Sequence, residues 1–142
     1  KTGTELEALA GKRLLLAEDD RLCGEILCEL LEDETGRPVS ITANGRAALE
    51  MFESANGEYD AIIMDVQMPV MNGYEAARAI RRSGCGNAKT VPIIALTADA
   101  SEESARSAAD SGMNGCLAKP VNIDRLRKAV VAALKSLSVA YR

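Results

Sequence analysis

The sequence predicts an α/β domain of three layers, a doubly wound parallel sheet with helices on both faces. Two observations carry this expectation. Five short apolar segments alternate with five segments whose apolar residues recur at helical spacing, with a repeat of roughly 20 to 30 residues that suits strand-helix units. Each apolar segment also stops at polar or charged residues, as strands buried on both faces do. Such repeats call for right-handed crossovers and hence parallel neighbours. A chain of 142 residues, 47% hydrophobic and 27% charged, fits one domain able to bury a core without disulfides or structural metals.

After a short helical lead-in, Arg13-Leu14-Leu15-Leu16-Ala17 reads as the first strand and ends in Glu18-Asp19-Asp20. From Arg21 to Glu34, Leu22, Ile26, Leu27, Leu30 and Leu31 recur at helical spacing and read as a helix, until Gly36 and Pro38 stop the pattern. Val39-Ser40-Ile41-Thr42-Ala43 is short and β-branched, and Asn44-Gly45 leads into a helix over Arg46 to Ser54 with Ala47, Ala48, Met51 and Phe52 inward. Ala61-Ile62-Ile63-Met64 then reaches Asp65, and after the break at Met68-Pro69 a helix from Gly73 to Arg82 turns Tyr74, Ala77 and Ile80 to the core. Val91 to Leu96 forms the fourth strand and ends at Thr97; Ser101, with Ser104 and two acids in the first turn, opens an Ala-rich helix to about Ser111. Gly115 to Ala118 ends at Lys119-Pro120, and Asn122 or Asp124 caps a last helix with Leu126, Val130, Ala133, Leu134 and Leu137 inward.

A formal charge of −4 provides no basic footprint for nucleic acid. Arg125, Arg127, Lys128 and Lys135 on the last helix read as a solvated face. No apolar run approaches the roughly 20 residues that span a bilayer. The absence of His removes His-dependent triads, and Cys23, Cys28, Cys85 and Cys116 form no CxxC pair, so reduced thiols in a cytoplasmic setting are expected. The start, Lys1-Thr2-Gly3-Thr4-Glu5, has no targeting pattern and reads as a cut from something longer. The expected organisation is a lead-in over 1–11, a domain over 12–138 and a tail over 139–142.

In doubly wound sheets ligands bind beyond the carboxyl ends of the strands. Those ends carry Glu18, Asp19 and Asp20, then Asp65, Thr97 and Lys119. Any one acid alone is well explained as a helix cap, Asp20 above all. Several carboxylates together repel one another, and a hard divalent cation resolves the conflict. Mg²⁺ fits, held by Asp19 and Asp65, with Glu18 acting directly or through water. A lysine and a hydroxyl opposite a metal-bound carboxylate suit phosphoryl transfer to that carboxylate, where positioning and charge stabilisation dominate.

At these residues the chain resembles the receiver domain of two-component response regulators, over about Lys12 to Leu137. Leu14-Leu15-Leu16-Ala17-Glu18-Asp19-Asp20 resembles the acidic motif of the first strand. Met64-Asp65-Val66-Gln67-Met68-Pro69-Val70-Met71-Asn72-Gly73 is similar to the segment around the phosphoacceptor, and Ala95-Leu96-Thr97-Ala98 and Lys119-Pro120 match the remaining motifs. The resemblance implies a flavodoxin-like (βα)5 fold with strand order 2-1-3-4-5 and Asp65 as phosphoacceptor. It implies a Mg²⁺ site, open to Mn²⁺, on Glu18, Asp19, Asp65 and the Gln67 backbone carbonyl. Lys119, Thr97 and Ala98 complete the centre, Thr97 is the switch hydroxyl, and Pro120 follows a cis peptide. The implied partner is a histidine kinase or histidine phosphotransfer protein, without nucleic acid or membrane contact and with room for a weak dimer. Slow loss of the phosphoryl group is implied as well. The wording around Asp65 and Thr97 looks especially like receivers fused to hybrid sensor histidine kinases, with which a chain ending just after its last helix is consistent.

One position departs from the pattern: Cys116 stands where the family usually has an aromatic switch residue. Packing as a small apolar side chain is the simpler reading of this thiol. Two other classes fit poorly. An aspartyl phosphatase wants an acid two positions after its nucleophile, where this chain has Gln67, and a nucleotide-binding module wants Gly, Ser and Thr where Glu18-Asp19-Asp20 stand.

Overall fold

The computed structural model describes residues 8–140, with side chains as far as Lys135. Ten elements alternate along the chain: β1 (Leu14–Ala17), α1 (Arg21–Thr35), β2 (Ser40–Thr42), α2 (Gly45–Ser54), β3 (Ala61–Asp65), α3 (Gly73–Arg82), β4 (Ile93–Thr97), α4 (Glu102–Asp110), β5 (Gly115–Ala118) and α5 (Ile123–Ala140). The strands form one parallel sheet in the order β2-β1-β3-β4-β5, as expected. The start of the expected lead-in, residues 141–142 of the tail and the orientation of Leu137 lie outside the described residues.

Alternation along the buried strands splits the core in two. Leu15, Ala17, Ile62, Met64, Ile93 and Ala95 face α2, α3 and α4, where Ala48, Phe52, Ala77, Ile80 and Ala108 meet them. Leu14, Leu16, Ile63, Ile94 and Leu96 face the opposite way, against Leu27 and Leu31 of α1 and Leu126 and Val130 of α5. Burying each such Leu, Ile or Phe contributes about 1.5–3 kcal/mol. The helices start where side chains accept orphan amides: Asp20 from Cys23, Asn44 from Ala47, Ser101 from Ser104, and Asn72 from Glu75 in a reciprocal capping box. Asn122 accepts from the Arg125 amide, which settles the last cap in its favour over Asp124.

The structure chooses between the apolar faces of α1 and corrects one expectation, at Arg127. Leu22, Ile26 and Leu30 do not face inward; they are 66%, 53% and 37% exposed, and α1 instead buries Gly24, Leu27, Leu31 and Thr35. The helix carries two apolar stripes, and the one with small Gly24 lies closer to the sheet: a Cβ there would stand 3.0 Å from the Cδ1 of Ile41. Arg127 is buried rather than solvated, because its guanidinium is held by both carboxylate oxygens of Glu34 and by Asp124, joining the end of α1 to the start of α5.

Candidate functional site

Strand register brings the polar ends together. Ala17 is paired with Met64, Asp65 with Leu96 and Thr97 with Ala118, so Glu18, Asp65, Thr97 and Lys119 emerge side by side at one end of the sheet. Backbone bonds extend the ladder past the strands: Glu18 N donates to Thr42 O, Val66 N to Leu96 O and Lys119 N to Thr97 O. Gly73 lets the start of α3 close against this end, since a Cβ there would stand 2.8 Å from Val66 Cα and closer still to the Asp65 carbonyl.

At the centre the Lys119 ammonium donates to Asp65 Oδ2 at 2.7 Å and bridges to Glu18 Oε1 at 2.8 Å. Both acids are only 4% exposed. The Gln67 amide donates to Asp65 Oδ1 at 3.1 Å, and the Asp20 amide to Glu18 Oε2 at 3.1 Å. Burial pushes the Glu18 carboxyl above its ordinary value and outweighs Lys119, which pulls it down. Burial alone would lower Lys119, but its hydrogen bonds to Asp65 and then Glu18 raise it, so it stays an ammonium.

Glu18, Asp19 and Asp65 each offer a carboxylate oxygen, all within 4.8 Å of one another. This all-oxygen set suits a hard cation such as Mg²⁺. Among the described residues the Gln67 carbonyl accepts no hydrogen bond, which leaves it open to serve as a ligand. Asp20 stands apart from the three acids as the cap of α1, as its position alone suggested.

Thr97 is buried beside the centre, but its hydroxyl engages its own loop, donating to the Asp99 carbonyl at 3.2 Å and accepting from the Asp99 amide at 3.3 Å. Ala98 is exposed on the wall of an open cleft of about 850 Å³ that Asp19, Gln67, Pro69 and Tyr74 also line. The Lys119-Pro120 peptide is cis. Cys116 is half-buried against the core, and burial first and the Asp99 charge second push its thiol up, which favours packing over a reactive thiolate. All four cysteines are free thiols.

Sequence reasoning missed Val70. Its φ is +68°, and Met71 N donates to Pro69 O at 2.7 Å, closing a three-residue γ-turn of the rarer, positive-φ kind. For a β-branched residue that backbone costs about 1–3 kcal/mol. Pro69 signals a break in the chain, but nothing marks Val as a turn residue. The exposed stripe of α1 was likewise hidden in an apolar pattern that fits either face.

A family profile described as the response regulator receiver domain matches residues 14–131. Histidine kinase 1 of Arabidopsis thaliana is 31% identical over 96% of this chain, which corresponds to 13% of that protein's length. The chain thus spans a small part of the curated relatives it matches. The receiver domain of a sensor histidine kinase from Pseudomonas aeruginosa PAO1, solved with magnesium in its active-site cleft, is 36% identical with a TM-score of 0.74, covering 89% of this chain and 99% of that one. The receiver domain of Ssk1 from Saccharomyces cerevisiae, solved together with the histidine phosphotransfer protein Ypd1, is 31% identical with a TM-score of 0.75, covering 86% of this chain and 88% of that one. None of the described helices is long and apolar enough to cross a membrane.

Proposed function

This chain belongs to the response regulator receiver domain family, and from that premise we propose that Asp65 accepts a phosphoryl group from a phosphohistidine protein in a Mg²⁺-dependent phosphorelay. The observation that carries the reading is the Lys119 ammonium shared by two buried acids, Asp65 and Glu18, with Asp19 beside them. Glu18, Asp19, Asp65 and the Gln67 carbonyl would hold the ion, and Mn²⁺ would serve in its place. Bound there, it supplies positive charge opposite the phosphoryl oxygens.

An Asp65 oxygen attacks phosphorus; the O–P bond forms as the N–P bond to the donor imidazole breaks and the imidazole leaves. Lys119 moves from pairing two carboxylates to pairing a phosphoryl oxygen. Thr97 gives up its bond to the Asp99 carbonyl and donates to the phosphoryl group, which redraws the β4–α4 loop and biases the surface of α4, β5 and α5. With Cys116 in the usual aromatic place, Thr97 carries most of this switch. Slow hydrolysis resets it: water passing Gln67 and Asp99 attacks phosphorus, inorganic phosphate leaves and the Asp65 carboxylate is regenerated.

The exposed stripe of Leu22, Ile26 and Leu30 supports a protein donor, since Ile26 and Leu30 line a groove that runs to Glu18 and Lys119. The parent protein on this reading is a hybrid histidine kinase, the domain is cytoplasmic, and self-association is at most a weak dimer. Intact-mass spectrometry after incubation with acetyl phosphate tests the proposal. The wild type should gain one phosphoryl group with Mg²⁺ or Mn²⁺ and none with chelator, and Asp65→Asn should gain none. Equal labelling of the two proteins would remove Asp65 from its role.

A further inference from the structure

Resting on the phosphotransfer reading above, we propose that Gly45, at the corner where β2 passes into α2, is a positioning residue for the metal site. It is not itself a ligand. The corner grips both halves of the ligand set: Glu18 N donates to Thr42 O at 3.0 Å, and Gly45 N donates to Met71 O at 2.9 Å. Glu18 leads the acidic pair with Asp19, and Met71 lies on the loop that carries the Gln67 carbonyl. One short stretch, Thr42 to Gly45, thus sets the gap between the acids and that carbonyl. Only glycine fits its last position. A Cβ on Gly45 would stand 2.9 Å from the Met71 carbonyl carbon, closer still to its oxygen, and 3.0 Å from the Asn72 oxygen, all backbone atoms that cannot swing away.

Of the two sides that meet at Gly45, the loop is the one that yields. α2 is fixed in the core by Ala48 and Phe52, both fully buried, and its first turn is fixed by the Asn44 cap on the Ala47 amide. From Met68 to Met71 the Gly45 bond is, among the described residues, the one hydrogen bond that reaches outside the loop; the other, Met71 N to Pro69 O, closes the γ-turn on itself. That turn is strained at Val70, whose side chain is 76% exposed and adds little packing to hold it. Strained backbone persists only where the surrounding structure over-determines it, and here Gly45 supplies that constraint. Losing the bond lets the turn relax and the Gln67 peptide rotate away from Glu18 and Asp19. Groups that orient a metal's ligands from behind govern its affinity by about 10–100-fold.

The test titrates Mn²⁺ alone, read by the electron paramagnetic resonance of the free ion, into wild type, Gly45→Ala, Asn44→Ala and Gly36→Ala. Gly45→Ala should bind about tenfold more weakly than wild type. Asn44→Ala frays the first turn of α2 without adding an atom and should bind about threefold more weakly. Gly36→Ala puts a side chain at φ +72° in open space at the end of α1, so it should lower the thermal midpoint yet bind Mn²⁺ within about twofold of wild type. Labelling by acetyl phosphate adds a second readout. In Gly45→Ala the Mg²⁺ concentration at half-maximal rate should rise about tenfold while the rate at saturating Mg²⁺ stays within about twofold, since Asp65, Lys119 and Thr97 are untouched. Wild-type affinity in Gly45→Ala overturns the inference, as does wild-type affinity in Asn44→Ala should Gly45→Ala fail to fold. An equal loss in Gly36→Ala, or a slower saturated rate with an unchanged Mg²⁺ requirement, overturns it too. A wild type that binds no Mn²⁺ overturns the metal-dependent reading itself.

Discussion

Replacing Lys119 with Met should destabilise the metal-free domain by about 2 kcal/mol at neutral pH. Removing one member of a fully buried ion pair costs about 3–5 kcal/mol, because the partner is left charged and dry. Here two acids are left, Glu18 with 1% and Asp65 with 5% of their side chains exposed. The Lys119 side chain is 28% exposed, however, so water reaches the vacated position and the cost falls to about 2 kcal/mol. For a chain of this size that lowers the melting midpoint by about 4–8 °C.

The pH dependence of that deficit gives the sharper test. Glu18 is already held above its ordinary 4.5 by burial, with Lys119 drawing it back. Without Lys119 it rises further. A carboxyl raised in the folded state keeps its proton where the unfolded chain has lost it, so stability falls as pH climbs from the unfolded value through the raised one. The variant falls over a wider interval than wild type. Its deficit is thus largest at neutral pH and shrinks as pH drops toward 4.5. Lys119 has the opposite dependence: raised above 10.5, it contributes stability that is complete below that value and lost only in strong alkali. Thermal melts of both proteins in chelator, at neutral and at mildly acidic pH, read the effect. An unchanged midpoint at neutral pH, or a deficit that stays constant on acidification, would refute the electrostatic account of the centre.

Gly73→Ala should cost about 3 kcal/mol in urea denaturation and slow labelling by acetyl phosphate, since the added carbon meets the backbone of Asp65 and Val66 rather than a side chain that can swing away. Gly24→Ala should be neutral or stabilising by up to about 1 kcal/mol, because a helix-interior glycine is relieved and the nearest atom, Ile41 Cδ1, ends a flexible and exposed side chain; a loss in the urea midpoint would contradict this. Arg127→Met should cost about 2 kcal/mol by leaving Glu34, whose side chain is only 15% exposed, without its guanidinium, whereas Arg127→Met combined with Glu34→Leu should recover most of it in the same assay.

What the sequence made legible follows from where burial is symmetric. β1, β3 and β4 are buried at every position, so unbroken apolar runs located them and their sudden ends located Glu18, Asp65 and Thr97. The convergence of those ends with Lys119 followed from strand order alone. On α1 the spacing located the helix but not its inward face, because a half-buried helix with two apolar stripes needs the third dimension to choose between them, and the choice turned on Gly24, which carries no hydrophobic signal. Arg127 read as solvated because a guanidinium usually is; its partner Glu34 lies 93 residues away, beyond any local pattern. The γ-turn at Val70 breaks the local preference of its own residue, and such breaks are set by the surrounding structure.

Phosphotransfer to this domain should place phosphorus on one residue, Asp65. Borohydride reduction of the acyl phosphate after treatment with acetyl phosphate and Mg²⁺, followed by peptide mass spectrometry, marks that residue by converting the phosphorylated aspartate to homoserine. Homoserine should appear at position 65 alone and be lost when metal is chelated. Homoserine at Asp19 or Asp20, or a stable phosphoryl group on a hydroxyl such as Thr97, would contradict it.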